Sequence, residues 1–229
     1  MLVSVLLPTR QRVHLVERSV RSLLDRATTP ADVEIMIAYD YDDLESREYF
    51  ESAVWAELMA EYNSSFQLFK TNTFGYNGLH HYYNLLACHA TGDWFLIWND
   101  DAVMQSDDWD SELRAHAGFV GMLHMITENY REKFALFPII PRVWVDLFGC
   151  VSLSNSNDSW IQHICLEAEA IRVISSTVYH DRYDISGNNN DLTYTSASRS
   201  AQKKAYKTAE MQQLRSQWAK KLIEYRSRL

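Results

Sequence analysis

The first half of the chain alternates short apolar runs with segments whose apolar residues recur at helical spacing. Continuous apolar runs of the kind that form buried parallel strands span Leu2 to Leu7, Val33 to Ala38, Phe66 to Phe69 and Trp94 to Trp98. The segments between them predict helices over Arg12 to Asp25, Leu44 to Tyr62 and Leu79 to His89. Strands that alternate with helices predict a mostly parallel sheet with right-handed crossovers, and hence an α/β fold.

The second half of the chain is less regular. Helices are expected over Trp109 to Ala117 and Asp158 to Ala170, and strands over Ala135 to Ile140, Val143 to Leu147 and Ile171 to Val178. Ser200 to Leu229 reads as one long helix with an apolar stripe. We therefore expect a sheet domain over residues 1–198 and a helical extension over residues 199–229.

Size and composition restrict the class of protein. A chain of 229 residues with 47% hydrophobic and 23% charged residues is typical of one globular domain, not of a disordered or fibrous protein. No apolar run approaches the ~20 residues that cross a bilayer, and Met1 to Pro8 lacks the features of a signal peptide. Cys88, Cys150 and Cys165 are widely spaced and fit a reduced compartment. A cytoplasmic location is expected.

Charge is distributed unevenly along the chain. The formal net charge is −8, but residues 199–229 carry nine basic and two acidic side chains, so the rest of the chain is strongly acidic. An acidic body argues against nucleic-acid binding, which depends on neutralising phosphates. An anionic ligand on such a body needs a source of positive charge, and a metal ion held by some of the carboxylates would supply it.

Three polar clusters follow the apolar runs directly. They are Pro8-Thr9-Arg10, Tyr39 to Asp43, and Asn99-Asp100-Asp101. Ligands of open α/β sheets bind outside the carboxyl ends of the strands, so these clusters are expected to meet in one crevice. Carboxylates at the end of a buried strand suit Mg²⁺ or Mn²⁺. The alternative is that Asn99 and its neighbours only cap a turn.

The order of these motifs resembles that of a GT-A glycosyltransferase of the family 2 type. The segments that carry the resemblance are VSVLLPTRQRVHLVERSVRSLL, VEIMIAYD and NGLHHYYNLLACHATGDWFLIWNDD, followed by FGC, NDSWIQHI and VYHDRYD. Together they cover roughly residues 2 to 185. The resemblance implies a GT-A fold and transfer of a sugar from a nucleotide-sugar donor.

The resemblance also implies roles for individual residues on the donor side. Thr9 and Asp40 match residues that hold the nucleobase, usually uracil, and Pro8 and Arg10 line the same mouth. Apart from the resemblance, Asn77-Gly78 is predicted as a turn, with contact to the donor as the second interpretation. These matches imply a UDP-sugar as the donor.

Further matches concern the metal and the chemistry. Asp101 matches the carboxylate of a DXD motif that binds Mn²⁺ or Mg²⁺, Asp100 lies near the ribose and diphosphate, and His180 matches a histidine that completes the coordination. Asn99 departs from the motif, which has an aspartate there. Asp158 matches the general base of inverting members, and Trp160 is placed to stack on a sugar. Asp158 has an alternative role as a helix cap.

Several interpretations remain open at the level of sequence. The polar loop Asp184 to Thr195 is either a lid over the donor or a solvent loop, and the basic C-terminal helix packs on the acidic body, on a membrane surface or on another subunit. Two other functions compete with sugar transfer: a sugar-phosphate nucleotidyltransferase, and a binding protein for nucleotide sugars or glycans. Leu7 to Gln11 contains no glycine, which counts against the nucleotidyltransferase. The sugar and the hydroxyl acceptor are not identified.

Overall fold

A computed structural model describes residues 2–130, 133–181 and 204–229. Eight strands in these ranges form one sheet in the order β3-β2-β1-β4-β7-β6-β8-β5. The strands are β1 (Val3–Thr9), β2 (Val33–Asp40), β3 (Ser65–Thr71), β4 (Trp94–Ile97), β5 (Ala102–Met104), β6 (Met122–Thr127), β7 (Pro138–Pro141) and β8 (Ile171–His180). The helices are α1 (Val13–Asp25), α2 (Leu44–Phe50), α3 (Ala53–Glu61), α4 (Leu79–His89), α5 (Trp109–Arg114), α6 (Arg142–Phe148), α7 (Asn157–Glu167) and α8 (Ala209–Arg226).

The first four strands form a parallel half-sheet, as the sequence predicts. β1 lies between β2 and β4, and β3 pairs with the outer edge of β2. The register sets Thr9 opposite Tyr39, so the polar residues after β1 and β2 emerge side by side. The polar residues that follow β1 and β2 therefore share one edge of the sheet, as the sequence predicts.

The other half of the sheet is mixed. β7 runs antiparallel to both β4 and β6, β8 runs parallel to β6, and β5 runs antiparallel to β8. The register of β5 sets Ala102 opposite His180, which brings the start of β5 next to the end of β8. β5 and β6 are absent from the sequence prediction, and β5 has only three residues, too few for a pattern to be recognised.

Two predicted elements differ from the structure. The segment Leu44 to Tyr62 forms two helices, because Ser52 caps α3 by accepting a hydrogen bond from the Trp55 backbone N–H. Val143 to Leu147, predicted as a strand, belongs to α6. That prediction was wrong because four of the five residues in this short segment are apolar, and such a run fits a short helix that buries Trp144 equally well.

The core lies on both faces of the sheet. Alternate residues of β1 point to opposite sides, so that Val3, Val5 and Leu7 pack in one cluster with α1, while Leu6 packs in the other with α4. The second cluster also receives residues of α6, α7 and α8. The result is three layers, with helices covering a central sheet as expected for an α/β protein.

The C-terminal helix packs on the body of the protein. Thr208 caps α8 through the Met211 backbone N–H, and the Trp218 ring stacks on Phe148 with centroids 4.2 Å apart. Within the described residues the long helix begins at Ala209, later than the sequence predicts. The predicted loop Asp184 to Thr195 and the domain boundary at residue 198 lie outside the described residues, and the two-domain division stays a prediction.

Candidate active site

The carboxyl ends of β1, β2 and β4 bring the three polar clusters together. The Thr9 hydroxyl donates a hydrogen bond to Asp100 Oδ2 at 2.7 Å, which joins the first cluster to the third. Arg10 Nη1 lies 2.7 Å from both Asp40 Oδ2 and Asp42 Oδ1, which joins the first cluster to the second. Four of the residues that the sequence assigns to the donor, Thr9, Arg10, Asp40 and Asp100, therefore lie together at the strand ends.

Asp40 lies at the base of this network with a side chain that is 1% exposed. The Tyr82 hydroxyl donates to Asp40 Oδ1 at 2.5 Å, and the Thr71 hydroxyl lies 3.4 Å from the same oxygen. Burial, and then the hydrogen bond to Asp40, raises the pKa of Tyr82 above its usual value, so Tyr82 stays a donor at neutral pH. Asp40 is thereby fixed in place.

Pro8 and Asn77 lie at the rim of the crevice. Pro8 is half-buried at the end of β1, next to Thr9. Asn77 is exposed in the short 3₁₀ turn Tyr76–Gly78 that precedes α4. Both residues are accessible to solvent.

The acidic cluster after β4 divides into residues with different environments. The Asn99 side chain accepts a hydrogen bond from the Tyr83 hydroxyl at 2.7 Å. Asp100 is fully buried. Asp101 is 4% exposed and its Oδ1 lies 3.1 Å from His180 Nε2. Burial alone raises the pKa of Asp101, but the attraction of His180 and Arg12 outweighs it and holds the pKa below its usual value.

His180 is held rigidly at the end of β8. Its backbone N–H and C=O both bond to the Asn129 side chain, and the edge of its ring meets Phe137 at a centroid distance of 4.9 Å. The backbone N–H of Asp181 donates to the Asp101 carbonyl at 2.8 Å. His180 Nδ1 is buried and has no hydrogen-bond partner in the part of the chain that the structure describes.

The Asp101–His180 pair fits a divalent metal ion chemically. A carboxylate oxygen and an imidazole nitrogen are both ligands of Mn²⁺. No group of three His, Cys, Asp or Glu side chains in the described residues could hold an ion without other ligands. Mg²⁺ and similar ions commonly keep waters and take oxygens from a substrate phosphate, so a pair of protein ligands beside a diphosphate site is sufficient.

Asp158 lies in the first turn of α7, and Ser156 occupies the N-cap position. The expected alternative role of Asp158 as the N-cap is therefore not what the structure shows. Burial raises the pKa of Tyr83 most, and the negative charges of Asp100 and then Asp158 raise it further. Asp158 is thus within electrostatic range of Tyr83, whose hydroxyl contacts Asn99.

Trp160 cannot stack on a sugar as the sequence led us to expect. Its side chain is 0% exposed, and its ring contacts Trp218 of α8 at a centroid distance of 5.2 Å. Trp160 belongs to the second core cluster. Trp160 comes two residues after Asp158, so the two side chains project from opposite sides of α7. The side that carries Trp160 is the one that packs into the core.

Sequence reasoning missed three residues that shape the site. Tyr82 and Tyr83 lie within the predicted helix Leu79 to His89, and each hydroxyl reaches a strand end. Arg12 begins a predicted helix, yet its guanidinium contacts both Asp100 and Asp101. A basic residue close to a strand end in an otherwise acidic body was the available signal for Arg12.

Comparison with known proteins agrees with this architecture. Residues 4–119 match the model of the glycosyl transferase family 2, which is about half of the chain. The fold is similar to that of the mannosyltransferase PcManGT from Pyrobaculum calidifontis in complex with GDP-Man and Mn²⁺. The TM-score is 0.62 at 15% identity, with 78% of this chain and 56% of that chain covered.

A second similar structure is S. aureus TarS 1-349, solved in complex with UDP-GlcNAc. Its TM-score is 0.63 at 14% identity, with 86% of this chain and 61% of that chain covered. The chain thus spans less than two thirds of these solved relatives, and at such identities the likeness concerns the fold.

Comparison with curated protein sequences finds no match. Among the described helices, none has the length and apolar character to cross a membrane. The family match and the strand order together show that the chain belongs to glycosyl transferase family 2 and has a GT-A fold.

Proposed function

We propose that the chain transfers a sugar from a nucleotide-sugar donor to a hydroxyl acceptor with the help of Mn²⁺ or Mg²⁺. The observation that carries this proposal is the buried Asp101–His180 pair, joined through Asp100 and Thr9 to the strand ends where a nucleotide would lie. A binding protein needs no such pair beside its ligand. The cytoplasmic location stays a prediction.

The donor side of the proposal uses the ends of β1 and β2. Thr9 and Asp40 lie at neighbouring strand ends, with Arg10 between Asp40 and solvent, and Pro8 and Asn77 at the rim. We propose UDP as the nucleotide of the donor. The solved relatives bind GDP-Man in one case and UDP-GlcNAc in the other, so the fold accepts either nucleotide class.

Asp101 and His180 would hold the metal ion, with Asp100 next to them. The bound ion supplies positive charge that stabilises the diphosphate as it leaves. Asp100 lies fully buried against Thr9 and keeps the strand end rigid, which fixes the position of Asp101.

Asp158 is the proposed general base of an inverting transfer. Its carboxylate would accept the proton of the acceptor hydroxyl while the hydroxyl oxygen attacks the anomeric carbon and the bond to the diphosphate oxygen breaks. The support for this role is the half-buried position of Asp158 at the start of α7 and the effect of its charge on Tyr83, which contacts Asn99.

Release of free UDP distinguishes the candidate functions. A transferase releases UDP from a UDP-sugar when an acceptor is present, whereas a nucleotidyltransferase releases inorganic diphosphate from a nucleoside triphosphate, and a binding protein releases neither. We expect UDP release that depends on Mn²⁺ and is abolished in Asp101→Ala. Calorimetry measures how much Mn²⁺ increases the affinity for the donor. If this increase were as large in Asp101→Ala as in the wild-type protein, the metal site would be elsewhere.

A further inference from the structure

We propose that Arg12 is a built-in counter-cation of the acidic cluster that couples metal binding to nucleotide binding. In this proposal the guanidinium neutralises Asp100 and Asp101 while no ion is bound. When the ion and the nucleotide enter together, the ion takes over neutralisation of the two carboxylates, and Arg12 moves to the diphosphate. The proposal rests on the metal site proposed above.

The guanidinium of Arg12 contacts the carboxylates of the acidic cluster as a bound cation would. Its Nη2 lies 2.5 Å from Asp100 Oδ1 and its Nε lies 3.1 Å from Asp100 Oδ2, so the guanidinium grips both oxygens of one carboxylate. Its Nη1 lies 3.5 Å from Asp101 Oδ2. Because Asp100 is fully buried, its charge needs a close partner, and Arg12 supplies one.

Local backbone structure directs Arg12 to this position. Gln11 adopts φ of 55°, in the left-handed region that residues other than glycine rarely occupy. Asp43 stabilises this turn by accepting a hydrogen bond from the Gln11 backbone N–H at 2.8 Å. Arg12 then occupies the N-cap position of α1 without using its side chain for capping. The side chain therefore lies over the end of β4, where it contacts Asp100, and 24% of it is exposed to solvent.

Arg12 and a metal ion at Asp101 compete with each other. The two oxygens of Asp101 face different partners, Oδ1 toward His180 and Oδ2 toward Arg12, so an ion at the first oxygen lies close to the guanidinium. Two cations at this separation repel each other, and the ion binds weakly for as long as Arg12 stays in place.

A nucleoside diphosphate relieves this competition. Its phosphate oxygens match the planar fork of a guanidinium and offer Arg12 a new anionic partner beside the ion. The ion and the nucleotide therefore favour each other, which is a positive coupling between two ligands of one site. The chain would thus hold a metal ion tightly only when a donor is present.

The test compares Arg12→Gln with the wild-type protein for two ligands. Binding of Mn²⁺ alone is measured from the electron paramagnetic resonance signal of the free ion, and binding of UDP at saturating Mn²⁺ is measured by calorimetry. We expect Arg12→Gln to bind Mn²⁺ alone about fivefold or more tightly and to bind UDP with Mn²⁺ about tenfold more weakly. Damage to the fold would weaken the binding of both ligands. Tighter binding of Mn²⁺ together with weaker binding of UDP therefore identifies the proposed role.

Arg18→Gln is the matched control. Arg18 lies on α1 and pairs with Asp181 at 2.7 Å, next to His180, so this variant removes the same charge from the same region without touching Asp100 or Asp101. We expect near wild-type values for both ligands. If Arg12→Gln does not fold, Arg12→Lys keeps the charge but loses the fork, and its binding of UDP with Mn²⁺ is expected to weaken.

Two results would overturn the proposal. Equal affinity of wild-type and Arg12→Gln proteins for Mn²⁺ alone, or unchanged UDP affinity in the Arg12 variants, removes the role of Arg12 and leaves the metal site intact. Absence of Mn²⁺ binding from every variant, with and without UDP, removes the metal site itself and the role of Arg12 with it.

Discussion

Asn99 shows at the scale of one residue how the acidic cluster differs from an ordinary DXD motif. Its side-chain oxygen accepts a hydrogen bond from Tyr83, whose hydroxyl also lies 3.0 Å from the Trp98 carbonyl. Burial and the nearby carboxylates raise the pKa of Tyr83 well above its usual value, so it remains protonated. Asn99 therefore ties the end of β4 to α4, and the proposed metal ion depends on Asp101 for its carboxylate.

A first prediction concerns Asp158. Asp158→Asn keeps the size of the side chain but removes its basicity, so turnover should fall by about 10²–10⁴-fold while donor affinity and melting temperature stay the same. Steady-state UDP release and thermal denaturation measure these effects. The matched control is Asp146→Asn, an exposed acid on α6, which should retain normal turnover. A near-normal rate in Asp158→Asn would leave Asp158 with a structural role only.

A second prediction concerns the pH dependence of stability through His80. Burial, and then the neighbouring His81 at a ring distance of 4.0 Å, lowers the pKa of His80 to about 4. The unfolded chain takes up this proton at about pH 6.5, so the unfolded state binds more protons between these values. The contribution of His80 to the free energy of unfolding is therefore fully present above pH 6.5 and is lost as the pH falls toward 4.

Thermal melts between pH 7 and pH 4 test this expectation. The decline in melting temperature should be shallower in His80→Gln than in the wild-type protein, because the variant has no proton to take up. His14→Gln removes an exposed histidine from α1 and serves as the control, with a decline similar to the wild type. Identical slopes in wild-type and His80→Gln proteins would show that His80 does not contribute.

At the scale of elements, the spacing of apolar residues predicts a helix or strand correctly where the segment is long and keeps one period throughout. α4 was predicted with its observed bounds, Leu79 to His89, because its apolar residues hold helical spacing over three turns. α6 was mistaken for a strand because seven residues between Pro141 and Gly149 carry too few repeats to separate the two periods. The packing of Trp144 in the second core cluster favours the helix, and the local sequence pattern holds no information about this packing.

A third prediction tests the junction between α4 and β4. A Cβ at Gly92 would lie 2.5 Å from Ser4 Oγ and 2.6 Å from the Ser4 backbone N, so the approach of two backbones excludes any side chain. Gly92→Ala should lower the free energy of unfolding by about 1–3 kcal/mol, because β1 and the turn before β4 must separate.

Gly149→Ala provides the comparison for that prediction. Gly149 ends α6 at φ of 78°, but a Cβ there meets no atom within 4 Å. Its substitution should cost about 1–2 kcal/mol through backbone conformation alone. Urea denaturation measures both variants, and a harmless Gly92→Ala would contradict the close packing of β1 against this turn.

At the scale of the whole molecule, the sequence predicts the parallel half of the sheet better than the mixed half. Each strand of β1 to β4 is an apolar run followed by polar residues, so both the strand and its functional end are visible in the sequence. The mixed half depends on pairings that join distant segments, such as β5 with β8, and only the three-dimensional register brings His180 to Asp101. Arg12 was missed for the same reason, since its partners lie almost ninety residues away.

The last prediction concerns the contribution of α8 to the whole fold. Trp218 stacks on Phe148 and meets the edges of Trp144 and Trp160, so α8 completes an aromatic cluster shared with α6 and α7. Trp218→Ala should lower the free energy of unfolding by about 2–4 kcal/mol, somewhat less than for a fully buried tryptophan. Ile223→Ala, at a side chain of the same helix that is 46% exposed, should change it by less than about 0.5 kcal/mol. Urea denaturation followed by tryptophan fluorescence and by circular dichroism measures both variants. If Trp218→Ala were as stable as Ile223→Ala, α8 would be an appendage, and the body of the protein would be stable without it.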